Sequence, residues 1–438
     1  MDADPDAPLP LLPAHARGRV WVALSGGLDS SALLHRLAQE PSLRAAGLQA
    51  VHVHHGLQAG ADAWADHCAA NCDALGVPLQ VRRVRVDPAG DGPEAAARRA
   101  RRAAFAAVMQ AGDILATAHH LDDQAETFLL RALRASGPDG LAAMRPWRAF
   151  GPGWLWRPLL ATPRAAVRAY AQARRLAWIE DPSNAHTDLD RNFLRHEVLP
   201  RLRQRWPQAA AAFARSAALA GEAADLLAQQ DAVLLARAAT ADPAVLRLAP
   251  LREAEPARRA RALRRWIAAL GLPPLPSAGI AQIEAALLDA RPDAQAEFAW
   301  HGAVVRRWRD LLYAGHVRPA LPATWQAAWD GRAPLALPDG GTLALEGDAA
   351  AFDAPLRVGA RTGGERIVLP RRRHGHALKD VLQALRVPPW ERRQLPLLWG
   401  ADGRLWAAGD LALSAECDDW LRARGARLAW RRGGPAPV

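Results

Sequence analysis

The stretch from Val20 to Leu34, near the N-terminus, most constrains the fold of this chain. Its first five residues are apolar and predict a short buried strand, Ser25-Gly26-Gly27 predicts a tight turn, and Asp29-Ser30 opens an apolar helix. Such an arrangement binds anions, because glycine allows close approach and the first N–H groups of the helix point at the anion. The sequence therefore predicts a phosphate site after the first strand.

The side chains of this loop indicate that a cation assists phosphate binding. Ser25 and Ser30 add hydroxyl donors, but Asp29 would repel a phosphate unless a cation lay between them. We therefore predict that Asp29 is a Mg²⁺ ligand, since Mg²⁺ is commonly held by one or two carboxylates plus substrate phosphates. The common Gly-x-x-x-x-Gly-Lys loop is excluded because Lys379 is the only lysine. The alternative is an ordinary glycine turn.

The hexapeptide Ser25-Gly26-Gly27-Leu28-Asp29-Ser30 resembles the PP-loop of the N-type ATP pyrophosphatases. In that family ATP is cut between the α and β phosphates, the loop holds pyrophosphate, and a substrate oxygen becomes adenylated. The resemblance implies that these six residues bind ATP, with Mg²⁺ as the accompanying ion.

Length and composition limit the class of protein. A chain of 438 residues is expected to form two or three domains. No apolar run approaches the ~20 residues that span a bilayer, and the acidic, proline-containing N-terminus does not fit a signal peptide. Three cysteines do not make a disulfide framework. We therefore expect a cytoplasmic protein without a membrane partner.

The net charge of +11 comes from 56 basic and 45 acidic residues, and nearly all the basic ones are arginine. Codon bias explains why arginine replaces lysine, but it does not explain the basic excess. The excess favours a polyanionic partner such as nucleic acid over a merely solvated surface.

Strand and helix patterns alternate through the first part of the chain and predict a doubly wound parallel sheet of order 3-2-1-4-5. In that order the first and fourth strands are neighbours, so the loops after Leu24 and Ala118 should meet. The predicted strands are Val20 to Leu24, Leu48 to His54, Leu79 to Val86 and Asp113 to Ala118, and the predicted helices run through Leu37, over Ala61 to Leu75, over Glu94 to Gln110 and from the end of the fourth strand.

The segment Thr117 to Thr127 forms a second motif. Asp123 and Glu126 are three residues apart and share one helix face with Thr127. We interpret His119, Asp123 and Glu126 as groups that bind Mg²⁺ and orient the substrate, with Asp123 as a second metal ligand. The alternatives are helix-dipole pairing for the carboxylates and a core position for His119.

A third motif begins at Glu180-Asp181-Pro182-Ser183-Asn184, a turn signal, and continues as Arg191-Asn192-Phe193-Leu194-Arg195. Arg191 and Arg195 lie one helical turn apart, so both can reach a phosphate or a carboxylate. A solvated helix face is the alternative.

Together the three motifs resemble the tRNA(Ile)-lysidine synthase family, and the resemblance extends over the whole chain. It implies ATP-dependent ligation of free lysine to C2 of the wobble cytidine in the CAU anticodon of an isoleucine tRNA. It also adds Arg191 to the predicted catalytic group of Asp29, His119, Asp123 and Glu126, and implies RNA contact by Arg195.

The remaining chain is expected to form an α-helical domain and a small α+β domain. The predicted divisions are 1–212 for the PP-loop domain with a helical bridge, 213–316 for a basic helical domain, and 317–438 for a linker (His316 to Pro338) and the C-terminal domain. RNA contact is predicted for Arg264, Arg265, Arg371 and Lys379. Monomer and homodimer both remain open.

Three other functions are compatible with parts of the pattern. A tRNA thiolase on the same fold typically needs paired cysteines, and the chain has no Cys-x-x-Cys. An amidotransferase-type synthetase would need a glutaminase segment, which is not evident. A non-catalytic RNA-binding protein is disfavoured by the intact loop with Asp29.

Overall fold

The computed structural model describes residues 12–13, 18–56, 60–86, 92–181, 188–288, 296–348 and 351–433. The chain divides into two compact units, Met1–Ala228 and Gln229–Val438. The predicted tail Met1 to Gly18 lies largely outside the described residues, as do the turn Pro182-Ser183-Asn184 and residues 434–438. Within the described part, no helix combines the length and apolar character needed to cross a membrane.

The first unit is an α/β layer structure. Its strands are β1 (Val20–Ala23), β2 (Gln49–His54), β3 (Leu79–Arg83), β4 (Ile114–Ala116), β5 (Trp147–Phe150) and β6 (Gly153–Trp156). Its helices are α1 (Leu28–Ala38), α2 (Pro41–Ala45), α3 (Ala61–Leu75), α4 (Pro93–Val108), α5 (Leu121–Leu133), α6 (Pro138–Leu141), α7 (Arg164–Ala173), α8 (Asp190–Phe193) and α9 (Leu199–Arg205), with α10 (Ala209–Ala238) continuing into the second unit and a π-helical segment at Leu194–Val198.

The sheet of the first unit has the order β3-β2-β1-β4-β6-β5. All neighbours are parallel except β5, which pairs antiparallel with β6. The doubly wound sheet with β1 beside β4 is therefore confirmed. The fifth parallel position is taken by β6, and the β5–β6 hairpin was not predicted. Apolar side chains on both faces pack against helices, as expected for strands with near-continuous apolar runs.

The second unit begins with helices and one antiparallel sheet. The elements up to residue 316 are β7 (Val245–Arg247), α11 (Leu248–Glu253), α12 (Pro256–Ala269), α13 (Ser277–Gln282), a π-helical segment at Ile283–Leu288, β8 (Glu297–Trp300), β9 (Ala303–Trp308) and β10 (Leu311–His316). The strands form a sheet of order β7-β10-β9-β8. The predicted helical character is confirmed, and the sheet is an addition that the sequence patterns did not indicate.

The rest of the second unit is α+β. Its elements are β11 (Gln326–Trp329), β12 (Leu335–Ala336), β13 (Thr342–Gly347), β14 (Leu356–Gly359), β15 (Arg366–Ile367), β16 (His376–Ala377), α14 (Leu378–Ala384), α15 (Pro389–Arg392), β17 (Leu397–Trp399), β18 (Leu405–Ala408), β19 (Ala412–Leu413), α16 (Ala415–Ala423) and β20 (Ala426–Arg431). Five of the strands form the sheet β11-β14-β17-β18-β19, and β12-β13-β20 form another.

The prediction that His316 to Pro338 forms a linker is corrected by the structure. It contains β11 and β12, which pair with β14 and β13. Trp329 and Leu337 from this segment are buried in the core of the C-terminal part. Its prolines suggested a linker, but the apolar residues between them make the segment an integral part of that core.

Candidate active site

The loop after β1 folds back on itself through hydroxyl groups. The Ser25 backbone N–H donates to Ser30 Oγ at 3.2 Å, and Ser30 Oγ donates to the Gly27 carbonyl at 3.0 Å. The two serine oxygens are 3.0 Å apart. Gly26 adopts φ +83°, a conformation that favours glycine. The loop therefore holds a fixed turn directly before the N-terminus of α1.

A histidine and a cysteine support the loop from below. The buried His52 Nδ1 lies 2.9 Å from the Leu24 carbonyl, to which it donates, and Cys68 Sγ is 3.4 Å from the same nitrogen. A Cβ atom on Gly26 would stand 3.1 Å from Cys68 Sγ. Burial, and then the charge of Cys72, raise the pKa of the Cys68 thiol to about 12. Cys68 therefore acts as a neutral packing group under the loop.

Replacing Gly26 by alanine is expected to raise the KM for ATP about tenfold. The positive φ costs an alanine about 1–2 kcal/mol, and the new Cβ contacts Cys68 Sγ; 1.4 kcal/mol is a factor of ten in affinity. Gly76→Ala is the matched control, because Gly76 has φ +61° with nothing near its Cβ position. Equal ATP affinities of the two variants would contradict this prediction.

The loops after β1 and β4 meet, as predicted, and His120 joins them. The backbone N–H of Asp123 donates to His120 Nδ1 at 3.3 Å, and the backbone N–H of His120 donates to Asp123 Oδ2 at 3.0 Å. This capping box places the ring proton on Nε2. Nε2 lies 3.7 Å from Asp29 Oδ2 and 3.5 Å from Asp123 Oδ2. One buried imidazole thus faces both predicted metal ligands.

Two arginines of the third motif bind the carboxylates of the second. Arg191 donates from Nε to Glu126 at 2.7 Å and from a terminal nitrogen to Asp123 at 2.9 Å. Arg195 does the same, at 2.7 and 2.8 Å. Glu126 is fully buried, and both its oxygens are occupied by guanidinium groups. The predicted reach of both arginines to a carboxylate is confirmed.

Asp122 fixes the start of α5 to two other segments. It accepts a hydrogen bond from the Arg164 backbone N–H at 2.8 Å and forms an ion pair with Arg203. Neighbouring aspartates thus have different surroundings, since Asp122 faces α7 and α9 while Asp123 faces the loop and the arginines.

Burial and neighbouring charges shift the pKa values of the site residues in different directions. Burial raises the pKa of Asp29, against the opposing effect of His120. Burial would also raise the pKa of Asp123, but His120 and Arg191 together lower it below its usual range. Burial lowers the pKa of His119 to about 4, and its Nδ1 lies 2.9 Å from Thr117 Oγ1. At neutral pH the site therefore has a neutral His119 beside an ionised Asp123.

The low pKa of His119 predicts a pH-dependent stability. Between pH 6.5 and about 4 the unfolded chain binds a proton that the folded protein excludes, so the free energy of unfolding should fall as the pH is lowered through this window. His119→Gln should reduce this slope in urea unfolding measured across the window. The exposed His374→Gln should not, and equal slopes for wild type and His119→Gln would refute the assignment.

The structure contains an acceptor suited to a cation. Asp29 Oδ1 is buried and has no hydrogen-bond partner among the described residues. No group of three or more His, Cys, Asp or Glu side chains in that part of the chain is arranged to hold a metal by itself. This donor set fits Mg²⁺, which takes one or two carboxylates and completes its shell with water and phosphate.

The predicted RNA-binding residues have different surroundings. Arg195 belongs to the carboxylate network described above. In the second unit Arg264, Arg371 and Lys379 are exposed, whereas Arg265 Nε donates to the buried Asp231 at 2.8 Å. Trp266, on the same helix, is buried and donates to the Pro243 carbonyl, so it is a core residue.

Sequence reasoning missed His120, His52 and Arg203. His119 and His120 are adjacent, and only the helix start distinguishes them: His120 is the N-cap, three residues before an acidic side chain, which is a capping-box spacing. That signal was available in the sequence. No local pattern marks His52 or Arg203, because their partners lie far away in the chain.

The fold and the site define an ATP-binding protein of the PP-loop class. A family model described as a PP-loop domain matches residues 9–202, a TilS substrate-binding domain matches 246–313, and a TilS C-terminal domain matches 356–430. The tRNA(Ile)-lysidine synthase of Xanthomonas campestris pv. campestris is 57% identical over 97% of this chain and 98% of the relative. That of Xylella fastidiosa is 53% identical over 94% and 95%.

The chain belongs to the tRNA(Ile)-lysidine synthase family. Among solved structures, the U34-tRNA thiolase NcsA from Methanococcus maripaludis, with its [4Fe-4S] cluster, matches 47% of this chain and 73% of that chain at 18% identity and a TM-score of 0.39. That likeness is too weak to bear on activity.

Proposed function

We propose that this protein is a carbon–nitrogen ligase that joins free lysine to C2 of the wobble cytidine in the CAU anticodon of an isoleucine tRNA, at the expense of ATP. The observation that carries the proposal is the meeting of Asp29, His120 and Asp123 at the adjacent ends of β1 and β4. Family membership over nearly the full chain supports the same reaction.

The chemistry has two steps. The C2 carbonyl oxygen of cytidine attacks the α-phosphorus of ATP, pyrophosphate leaves, and the oxygen becomes adenylated. The ε-amine of lysine then attacks C2, the bond from C2 to the adenylated oxygen breaks, and AMP leaves. Adenylation is needed because an unmodified carbonyl oxygen is a very poor leaving group.

The loop residues Ser25 to Ser30 are assigned to the phosphates of ATP. Asp29 and Asp123 would hold Mg²⁺, which neutralises phosphate charge when it is bound. Asp29 Oδ1, which has no hydrogen-bond partner among the described residues, supports the assignment of Asp29.

The remaining site residues are assigned to substrate orientation. His119, which is neutral at pH 7, is assigned to the substrate as a hydrogen-bonding group. Glu126 positions Arg191 and Arg195, because both of its oxygens are bound by them. Arg191 is 32% exposed and is the arginine assigned to the substrate.

We divide the chain into a PP-loop domain (1–212), a middle domain (213–316) and a C-terminal domain (317–438), in keeping with the three matched family models. RNA phosphate contact is assigned to the exposed Arg264, Arg371 and Lys379. Arg265 is assigned to holding α12 through Asp231. The cysteine composition supports a cytoplasmic location.

Sulfur transfer is the second function on this fold, and the cysteines argue against it. Cys68, Cys72 and Cys417 are buried, and burial raises the pKa of each thiol to about 11 or 12. A sulfur carrier needs an accessible thiolate.

The test is incorporation of labelled lysine into a CAU tRNA transcript with ATP and Mg²⁺, with pyrophosphate release followed in parallel. The same transcript with uridine at the wobble position is the control. Lysine incorporated only into the cytidine transcript, with one pyrophosphate per lysine, is the expected result. Pyrophosphate release without lysine incorporation would overturn the choice of nucleophile, and absence of both would overturn the ligase function.

A further inference from the structure

Three arginines lie together at the β5–β6 edge of the sheet in the first unit. Arg148 is on β5, opposite Leu155 of β6, on the sheet face that packs against Phe105 of α4. Arg102 comes from α4 itself, and its guanidinium lies 5.1 Å above the Phe150 ring. Arg157 follows the last residue of β6 directly.

The positive charge of this cluster is not balanced by a carboxylate of the described residues. In the part of the chain that the structure describes, no ion pair joins Arg102, Arg148 or Arg157 to a carboxylate. Arg157 is 7% exposed, and the Nε atoms of Arg148 and Arg157 are buried with no hydrogen-bond partner among the residues that the structure describes. One terminal nitrogen of Arg157 donates to the Arg145 carbonyl at 2.6 Å, which fixes the side chain.

The arginines also influence one another. Burial first, and then the charges of Arg148 and Arg102, lower the pKa of Arg157 to about 10. Burial and Arg102 lower the pKa of Arg148. Buried, unpaired like charges are costly, and such arrangements concentrate at functional sites. A bound anion would relieve the repulsion between these guanidinium groups.

The cluster begins one strand away from the candidate active site. The backbone N–H of Thr117 donates to the Trp156 carbonyl at 2.9 Å, and Thr117 contacts His119. Since β4 and β6 are neighbours, Arg157 lies beside the loop that carries His119. The PP-loop follows β1, two strands from β6, a separation of about 10 Å. An anion at the arginines is therefore distinct from pyrophosphate held by the PP-loop.

We propose that Arg102, Arg148 and Arg157 bind the phosphodiester backbone of the RNA strand that presents the target cytidine. The proposal rests on the proposed function and adds a second contact region on the PP-loop domain. Three unneutralised guanidinium groups suit successive phosphates, whereas a single carboxylate is satisfied by one bidentate arginine. Arg102 is exposed, so the cluster opens to solvent, as a polymer requires.

The test compares Arg102→Gln/Arg148→Gln with a control that removes the same charge, Arg131→Gln/Arg168→Gln, at exposed positions outside the cluster. Each protein is titrated with a CAU tRNA transcript at several salt concentrations. We expect the cluster variant to bind about tenfold or more weakly and its log–log salt slope to fall by about 1.4, since each single-strand phosphate contact contributes about 0.7. The control should bind within about twofold of wild type.

Two further readouts separate binding from structure. The cluster variant should unfold at a temperature no lower than wild type, because it loses like-charge repulsion. Arg148→Lys should keep the salt slope, because lysine carries the same charge. It should lose part of the RNA affinity, because lysine lacks the planar guanidinium that makes two parallel hydrogen bonds. A lower unfolding temperature in the cluster variant with loss of RNA binding would assign the arginines a structural role and overturn the proposal.

Unchanged RNA affinity would also overturn the proposal. If the KM for lysine or ATP rose while RNA binding stayed unchanged, the arginines would instead be assigned to the carboxylate of lysine or the phosphates of ATP. The titration needs no turnover, so it remains informative if lysine incorporation, and with it the proposed function, fails.

Discussion

Asp29→Asn is expected to reduce lysine incorporation at least about a thousandfold, which is about 4 kcal/mol of transition-state stabilisation. Asp29 Oδ1, at the start of α1, is buried without a hydrogen-bond partner among the described residues, and the other oxygen faces His120. Asparagine keeps the size but removes the negative charge that a cation between loop and phosphate requires. Weaker binding of ATP in the presence of Mg²⁺, followed by direct titration, should accompany the loss of activity.

This loss should not come from unfolding. Burial raises the pKa of Asp29, so the folded protein carries a cost for its charge at neutral pH. The neutral amide removes that cost, and the unfolding temperature should stay equal or rise. Asp225→Asn, at an exposed aspartate paired with Arg145, is the control and should keep wild-type activity. Near-wild-type turnover in Asp29→Asn would refute a metal-ligand role.

Glu126→Gln is expected to destabilise the PP-loop domain by about 3 kcal/mol, because it removes the buried one of the two carboxylates that Arg191 and Arg195 share and leaves Asp123 as the other. Glu126 is completely buried, while Arg195 and Arg191 are 19% and 32% exposed. The free energy should be measured by urea unfolding with the denaturant slope checked. Activity should fall as well, since both arginines lose their position.

Glu197→Gln provides the matched comparison. Glu197 pairs with Arg201 on the helix surface, at 3.6 Å and with both side chains substantially exposed. Such pairs contribute about 0–1 kcal/mol. A cost of Glu126→Gln no larger than that of Glu197→Gln would show that the buried network does not stabilise the domain.

The parallel part of the catalytic sheet was predictable because its signals are local. Apolar runs of strand length, each followed by a helical pattern, define β1 to β4, and the helix Ala61–Leu75 has the predicted bounds. The adjacency of β1 and β4 follows from the doubly wound strand order, so Asp29 and Asp123 were expected in one place. The structure places both beside one imidazole.

Other features depend on distant contacts, which no local pattern reports. Arg191 and Arg195 lie 65 to 72 residues from their carboxylate partners. The two arginines are spaced as they would be on a solvent-exposed helix face, so the sequence does not show whether they are exposed or bound to buried carboxylates. The β5–β6 hairpin was missed because its two strands are only four residues long and do not show a regular alternation of polar and apolar residues. Arg195 was assigned to RNA because the sequence does not reveal a buried partner.

The cysteine beneath the PP-loop has a consequence for measuring motion in this protein. The Cys68 thiol is buried against the loop, and its pKa of about 12 keeps it protonated, so a thiol reagent reaches it only when the surrounding structure opens. The rate at which Cys68 is alkylated therefore reports how often the structure around the nucleotide loop opens. Cys417 is buried in the second unit, so its alkylation rate in the same molecule serves as an internal reference. Cys68 is thus a native probe of loop opening, and we expect nucleotide binding to slow its alkylation relative to that of Cys417.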